Sequence, residues 1–360
     1  MRKTNPPQRG RGAQSAVVPD RFGLAQREAD GDWRDAMEAL DGPPLKLRTT
    51  VTEEHPKTIL TFNQSPDIAF DRSVNAYRGC EHGCVYCFAR PTHAFHDLSP
   101  GLDFETKLFA KPHAAELLRK TLSRPKYRPR PIAMGTNTDP YQPIEGRYRI
   151  TRDLLEVCLE ARHPVTITTK SDRVLHDLDL LEELARHRLV AVSISVTSLD
   201  PVLSGKLEPR AAAPAKRLAA LGKLAERGIP THCSVAPVIP AITDEFMEQI
   251  VARAAALRVA SCGWIPLRLP HEVAPLFREW LEVHYPDRAG KVMSIVRSIR
   301  QGRDNDPDFF TRLKPSGVWA DLFRARFRIA CKRAGIGKPG FELDTVAFRP
   351  PQSGDQLQLL

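Results

Sequence analysis

From Ser73 to Leu267 the chain alternates between two patterns of apolar positions. Short runs rich in β-branched residues fit buried strands, and the segments between them repeat apolar residues at a helical period. The strands that this pattern predicts are Ser73–Tyr77, Pro131–Gly135, Val165–Thr169, Leu189–Val196, Thr231–Pro237 and Ser261–Leu267. The predicted helices are His113–Leu122, Arg152–Arg162, Leu175–His187, Lys216–Arg227 and Glu245–Leu257. Gly228 signals the end of the fourth helix, and Thr243–Asp244 signals the start of the fifth.

Strands that alternate with helices favour parallel β-loop-α units over hairpins. We therefore expect an α/β fold with a partial (β/α)6 barrel resembling a TIM barrel, or an open parallel sheet. In both architectures the chemistry lies at the carboxyl ends of the strands, so the residues that follow each strand are the candidate site.

Four segments organise the chain. Residues 1–47 are rich in Pro, Gly, Arg and Asp and predict a mobile basic arm. Residues 48–72 predict a strand extension, with strands at Thr58–Phe62 and Ile68–Phe70 around a turn. Residues 73–270 hold the barrel, and residues 271–360 predict a helical extension with a basic face.

Composition narrows the class of protein. The 360 residues are 42% hydrophobic and 27% charged, and no apolar run approaches the roughly 20 residues of a spanning helix. The first 20 residues lack the continuous apolar segment of a secretory signal, so we expect a soluble, cytoplasmic protein without a membrane role. The net charge of +10 favours a polyanionic partner such as DNA or RNA.

Basic residues in the C-terminal segment carry two interpretations. Arg324, Arg328 and Lys332 lie four residues apart on a predicted helix, Asp321–Arg333. This face either binds along the phosphates of a nucleic acid backbone or is a solvated surface whose arginines cover Phe323 and Phe327.

Three of the seven cysteines form a compact motif. Cys80, Cys84 and Cys87 have the spacing C-x-x-x-C-x-x-C on a loop after the first predicted strand. Three such thiolates can hold one face of an iron–sulfur cluster and leave one iron open for a chelating ligand. Cys158, Cys233 and Cys262 lie in predicted helices or strands, where small core residues are expected.

Two other uses of the motif are open. The three thiolates can bind zinc with His82 or His93 as fourth ligand, although no second C-x-x-C knuckle follows. Cys84 and Cys87 alone form a C-x-x-C dithiol, which leaves Cys80 unexplained.

The run from Asn75 to Arg90, NAYRGCEHGCVYCFAR, resembles the radical S-adenosylmethionine (radical SAM) superfamily. More narrowly it is similar to a bacterial branch related to spore photoproduct lyase, and the resemblance covers about Thr58 to Leu269. It implies a [4Fe-4S] cluster on Cys80, Cys84 and Cys87, with S-adenosylmethionine on the open iron. It also implies a flavodoxin- or ferredoxin-type electron donor and a 5′-deoxyadenosyl radical that abstracts a substrate hydrogen.

The resemblance also implies contacts to S-adenosylmethionine at the ends of the early strands. Asn137 and Asp139 would meet the methionyl amine, although Asp139 also fits an ordinary Asx-Pro turn. Lys170 would pair with the carboxylate, with a free surface lysine as the alternative. Tyr86 and Phe88 would meet the adenine through their backbone, or would only shield the cluster from water.

Later strand ends complete the implied pocket. Ser195 would contact the ribose or the methionine. Glu208 and Arg210 resemble a Glu/Arg element of the superfamily, in which Arg210 clamps a carboxylate or both residues brace the loop. The segment Val235–Pro240 would close the adenine side with apolar contacts.

The substrate is open. Spore photoproduct lyases repair a thymine photodimer in DNA with a further cysteine after the second strand as hydrogen donor. This chain has Gly135, Thr136 and Asn137 there, and Tyr141 or Tyr148 is the substitute candidate. We therefore expect a radical enzyme on a nucleic acid lesion or a modified nucleotide. The alternatives are a peptide or metabolite substrate, or a non-catalytic metal module that binds nucleic acid.

Overall fold

A computed structural model describes residues 10–17, 47–337 and 341–351 of the chain. The strands, numbered β1 to β10, are Thr50–Glu53, Leu60–Phe62, Arg72–Val74, Tyr77–Arg78, Lys107–Ala110, Ile132–Met134, Val165–Thr169, Val190–Ser195, Thr231–Val238 and Ser261–Pro266. The α-helices, numbered α1 to α11, are Asp103–Thr106, Ala114–Leu122, Glu145–Tyr148, Ile150–Glu160, Leu178–Arg186, Pro201–Leu207, Pro214–Glu226, Met247–Ala256, Val273–His284, Pro286–Ser298 and Val318–Ala334.

The main sheet has the order β10-β9-β8-β7-β6-β3-β2. Its strands run parallel except that β2 pairs antiparallel with β3 at one edge. Helices α4, α5, α7 and α8 connect successive strands from β6 to β10. This confirms the predicted α/β class and the parallel six-strand core, and the fold is a partial barrel.

The periodicity located most elements to within a few residues. The strand Val165–Thr169 is observed with the predicted bounds, and Gly228 ends α7 with a φ of +71°. The pair Thr243–Asp244 precedes a short 3-10 helix, Asp244–Phe246, and not the α-helix itself. Thr243 accepts a hydrogen bond from the Ile239 N–H, so its side chain does not cap a helix.

Two strand predictions were wrong in detail. Ile68–Phe70 is not a strand, because the Asn63 side chain donates to the Phe70 carbonyl (2.8 Å) and closes a loop between β2 and β3. Ser73–Tyr77 is divided between β3 and β4, which belong to different sheets. The Lys111 ammonium donates to the Asn75 carbonyl at the break between them.

Part of the predicted mobile arm is packed against the barrel. Residues 10–17 are described, and within them Arg11, Gly12, Ala13 and Gln14 are buried. The Arg11 guanidinium donates to the carbonyls of Glu105 (2.9 Å) and Leu47 (2.8 Å), so for this segment the prediction was wrong. The remainder of the arm, apart from Leu47, lies outside the described residues.

The segment after β10 contains helices α9, α10 and α11. Helices α9 and α10 bury Trp280 and Phe277 against the loop side of the barrel, and the Trp280 indole donates to the Lys206 carbonyl (2.9 Å). Helix α11 is attached to α8 through Arg326, which pairs with Asp244 and Glu248. In the described ranges, no helix is long and apolar enough to cross a membrane.

Candidate active site

The cysteine loop begins where β4 ends and turns tightly at two glycines. Gly79 and Gly83 have left-handed φ angles of +72° and +67°, which side chains other than glycine rarely adopt. A Cβ on Gly83 would also lie 2.7 Å from the Glu105 carboxylate. The sequence therefore supplies glycine at both places where the loop needs it.

A buried arginine holds this loop in shape. Arg90 is fully buried and donates to the carbonyls of Cys84 (2.9 Å) and Gly83 (3.2 Å). Its charge is balanced by Glu105, whose carboxylate is 2.5 Å away and equally buried. Glu105 also accepts from the N–H groups of Gly12 (3.1 Å) and Ala13 (2.8 Å), so the N-terminal segment closes over the same ion pair.

A buried glutamine fixes the other end of the loop. The Gln142 carbonyl accepts from the Glu81 N–H (2.9 Å), and its amide donates to the Thr138 hydroxyl (2.9 Å). The Thr138 hydroxyl in turn donates to the Gly79 carbonyl (2.6 Å). The loop that carries the cysteines is thus bound to the loop that follows β6.

The three cysteines of the motif line one cavity of about 220 Å³. Residues at the ends of β6, β7, β8, β9 and β10 line the same cavity, so the sheet curves around it at the carboxyl ends of its strands. Burial, opposed only in part by the charge of Lys170, raises the pKa of the Cys84 thiol, and burial also raises the pKa of Cys80 and Cys87.

The donor set fits an iron–sulfur cluster better than zinc. All three thiols face one cavity, and thiolates are the ligands that such clusters take. Of the two histidines considered as fourth zinc ligands, His82 lines the cavity but its Nδ1 pairs with Asp139 (3.2 Å), and His93 does not line the cavity. Across the described ranges, no three His, Cys, Asp or Glu side chains converge as around a single metal ion.

Asp139 and Asn137 both line the cavity, and hydrogen bonds hold the Asp139 side chain in place there. The Asp139 carboxylate accepts from the Thr169 hydroxyl (2.7 Å), the Lys170 N–H (2.7 Å) and the Tyr141 N–H (2.9 Å). Burial opposes ionisation of Asp139, but the charge of His82 and these hydrogen bonds outweigh it and lower its pKa to about 2. The hydrogen bond from the Tyr141 N–H closes the Asx turn that the sequence analysis gave as the alternative role of Asp139.

Lys170 and Ser195 also line the cavity. The Lys170 ammonium lies over the Tyr86 ring, 5.8 Å from its centroid, and its charge acts on Cys84 and Cys87. Ser195 ends β8 with its side chain buried at the cavity wall. Both predicted cofactor contacts therefore lie on the same side of the barrel as the cysteines.

Glu208 and Arg210 do not line this cavity. Glu208 is buried and pairs with Arg217, a residue that the sequence analysis missed, and with the Tyr86 hydroxyl. Burial opposes ionisation of Glu208, but the positive charge of Arg217 outweighs the effect of burial and lowers the pKa of Glu208 to about 2. Arg210 pairs with Glu81 (3.0 Å), so both residues brace the cysteine loop from outside, which is the bracing alternative.

The remaining candidates divide between the cavity and its surroundings. Tyr86 and Phe88 line the cavity, and Phe88 is 55% exposed at its mouth. Ala236 and Pro237 from the segment Val235–Pro240 also line it. Tyr141 does not: its hydroxyl donates to Asp177 (3.0 Å), and its ring borders a separate pocket. The proposed hydrogen relay through Tyr141 therefore has no direct contact with the cavity.

A partial parallel barrel with three cysteines at its mouth is typical of a class of iron–sulfur enzymes. In this class the open coordination site of the cluster faces the barrel interior. The family model of the radical SAM superfamily matches residues 74–254, and the chain belongs to this superfamily. Its members use a [4Fe-4S] cluster and S-adenosylmethionine, and the three cysteines of the motif line the cavity described above.

Further comparisons find relatives of the sequence and solved structures that share the fold. An uncharacterized protein of Mycobacterium tuberculosis is 36% identical over 241 residues, which are 66% of this chain and 71% of that protein. An uncharacterized protein of Methanocaldococcus jannaschii is 27% identical over 215 residues, 59% of this chain and 76% of that protein. Spore photoproduct lyase complexed with dinucleoside spore photoproduct shares the fold, with a TM-score of 0.55, 16% identity and 80% of each chain covered. A substituted form with bound AdoMet and the same dinucleoside has a TM-score of 0.52, with 16% identity and the same coverage.

Proposed function

We propose that the protein cleaves S-adenosylmethionine reductively and uses the resulting radical on a nucleic acid lesion or a modified nucleotide. The observation that carries the first half is that Cys80, Cys84 and Cys87 share one cavity with Lys170 and Ser195. The second half rests on the charge of the chain and on what its structural neighbours bind.

The cluster, when bound, supplies one electron that breaks a carbon–sulfur bond of S-adenosylmethionine and so yields the 5′-deoxyadenosyl radical. The chain's own residues position the reactants. Cys80, Cys84 and Cys87 would hold the cluster, and Lys170 would hold the carboxylate of the cofactor. Asn137 and Ser195 would orient its amine and ribose, while Tyr86 and Phe88 shield the site from water.

Three observations support a nucleic acid substrate. The net charge is +10, which favours polyanions. Helix α11 exposes Arg328 and Lys332, while Arg324 pairs with Asp321 and the Pro315 carbonyl. Solved neighbours that share the fold carry a dinucleoside lesion. A damaged base must leave the stack to enter a barrel, and a cavity at the strand ends suits an extruded base.

The reaction proposed here differs from that of the lyase in its hydrogen donor. No cysteine occurs between Cys87 and Cys158, and Gly135, Thr136 and Asn137 occupy the segment after β6. Gly135 has a φ of +89°, and a Cβ there would lie 2.0 Å from the Thr168 carbonyl oxygen, so this backbone excludes a side chain. We therefore propose a related lesion or a modified nucleotide of DNA or RNA as the substrate.

Supporting partners complete the proposal. A flavodoxin- or ferredoxin-type protein would supply the electron. A cytoplasmic location fits the seven cysteines, all of which are free thiols. A role in DNA repair would follow if the substrate is a DNA lesion.

The test measures 5′-deoxyadenosine from the anaerobically reconstituted protein with dithionite and S-adenosylmethionine. Reactions contain ultraviolet-irradiated DNA, total tRNA, undamaged DNA or a peptide mixture, with Cys87→Ala as control. We expect 5′-deoxyadenosine from the wild type only, increased severalfold by irradiated DNA or by tRNA. Formation that no nucleic acid changes would contradict the nucleic acid substrate, and no formation under any condition would contradict radical chemistry.

A further inference from the structure

The cavity carries a cationic side chain on each of two sides. Lys170 follows β7, and Arg268 follows β10. Strands β8 and β9 lie between them, so at about 4.8 Å per strand the two ends are roughly 14 Å apart along the sheet. Lys170 acts on Cys84 and Cys87, whereas the charged groups that act on Arg268 belong to other segments. Lys170 and Arg268 therefore follow different strands on the rim of the same cavity.

Arg268 lacks a partner of its own. Its Nε is buried and donates to no hydrogen-bond acceptor among the residues that the structure describes. A buried donor without an acceptor costs about 1–3 kcal/mol. Burial lowers the pKa of Arg268 most, and the positive charge of Arg312 lowers it further, while Asp67 and Asp306 act in the opposite direction.

The groups around Arg268 are already engaged with one another. Asp67 accepts two hydrogen bonds from Arg312, at 2.7 Å and 2.6 Å. Arg300 is buried and donates to the carbonyls of Leu267 (2.6 Å) and Arg312 (3.1 Å), which fixes the end of β10. Three arginines therefore surround the carboxylates of Asp67 and Asp306, and of these three it is Arg268 that lines the cavity.

We propose that Arg268 binds a phosphate group of the nucleic acid substrate at the carboxyl end of β10. The inference rests on the proposed function and specifies which part of the substrate this side of the cavity recognises. A guanidinium offers paired donors that match phosphate oxygens. Phe88 and Ile265, 55% and 44% exposed, line the same cavity and present apolar surface to a base attached to that phosphate.

The test compares two fluorescein-labelled thymidine pentanucleotides on the cluster-loaded protein. One has phosphodiester linkages, and the other has uncharged methylphosphonate linkages. Binding is measured by anisotropy for the wild type, Arg268→Gln, Arg268→Lys and the control Arg253→Gln, an exposed arginine on α8. The affinity of each variant for S-adenosylmethionine is measured separately, and cluster absorbance confirms that each variant is folded.

We expect Arg268→Gln to bind the phosphodiester probe about tenfold more weakly and the methylphosphonate probe unchanged. Arg268→Lys keeps the charge without the paired donors, so its affinity for the phosphodiester probe should lie between those of the wild type and Arg268→Gln. The affinity of Arg253→Gln should stay within about twofold of the wild type.

Three results would count against the proposal in different ways. If the wild type prefers the charged probe and Arg268→Gln keeps that preference, Arg268 is not the phosphate site, although the proposed function stands. If Arg268→Gln loses affinity only for S-adenosylmethionine, Arg268 serves the cofactor and the inference is overturned. If the wild type binds both probes equally well or binds neither, the cavity recognises no phosphate of the probe and the inference is overturned, whereas the proposed function is decided separately by the 5′-deoxyadenosine assay.

Discussion

At the scale of single residues, Glu208 outside the cavity and Lys170 in its lining differ in whether their charge already has a partner. The Glu208 carboxylate is satisfied by Arg217 and by the hydroxyls of Tyr86 and Thr197 (2.7 Å). The Lys170 ammonium instead rests over the Tyr86 ring and faces the cavity. Within the described residues the Lys170 ammonium donates no hydrogen bond, so its donors are available to a carboxylate ligand.

Replacing this lysine tests its proposed role. We expect Lys170→Gln to weaken S-adenosylmethionine binding about tenfold, because a charge-assisted hydrogen bond is lost. Equilibrium dialysis on anaerobic, cluster-loaded protein measures the change, with Lys216→Gln, an exposed lysine of α7, as control. An unchanged dissociation constant for Lys170→Gln would assign the lysine no part in cofactor binding.

Glu145 predicts a pH dependence of stability. Burial raises its pKa from 4.5 to about 7, although hydrogen bonds from Tyr77 and Thr151 act in the opposite direction. The folded state therefore holds the proton more tightly than the unfolded state, and the free energy of unfolding falls as pH rises from about 4.5 to about 7.

The matched variant is Glu145→Gln, which does not titrate. Urea denaturation from pH 4.5 to pH 7 should show the wild type losing about 3 kcal/mol relative to Glu145→Gln. Glu116→Gln replaces an exposed carboxylate on α2 and should run parallel to the wild type. Parallel curves for Glu145→Gln as well would show that the buried carboxyl has an ordinary pKa.

At the scale of elements, the cysteine loop depends on a segment far away in sequence. Gly12 lies so close to Gly83 that a Cβ on Gly12 would be 1.7 Å from the Gly83 carbonyl oxygen. The Gly12 and Ala13 N–H groups complete the hydrogen bonds of Glu105, which balances Arg90 beneath the cysteines. Residues 10–17 therefore act as a brace on the loop.

Gly12→Ala should dislodge this brace. We expect a destabilisation of more than about 2 kcal/mol and a lower iron and sulfide content after reconstitution, because backbone must move to admit the methyl group. Gly205→Ala on α6 is the control, since a Cβ there meets nothing within 4 Å. Equal iron content in Gly12→Ala and the wild type would show that the loop holds without the segment.

These elements also show where sequence reasoning reached its limit. Strand β7 and the cysteine motif were predictable because hydrophobic period and ligand spacing are local properties of the chain. The partners of Glu208 and Glu105 were not, because Arg217 and Gly12 reach them through tertiary contacts. For the same reason, sequence neighbours such as Glu208 and Arg210 proved to have different partners.

At the scale of the whole molecule, the cavity opens where all parallel strands of the core end. The cysteine loop, held by Arg90, closes one side, and the segment after β10, held by Arg300, closes the other. The two proposals together assign a cofactor side near Lys170 and a substrate side near Arg268. The position of Arg268 emerges only from the fold, since nothing in its sequence neighbourhood distinguishes it from other arginines.

The central claim is that the three cysteines hold a redox-active cluster that binds S-adenosylmethionine. Electron paramagnetic resonance of the anaerobically purified, dithionite-reduced protein, with iron and sulfide counted on the same sample, tests it most directly. The account predicts a four-iron signal that changes when S-adenosylmethionine is added and disappears in Cys87→Ala. Zinc bound to the protein, with no cluster after anaerobic reconstitution, would contradict it.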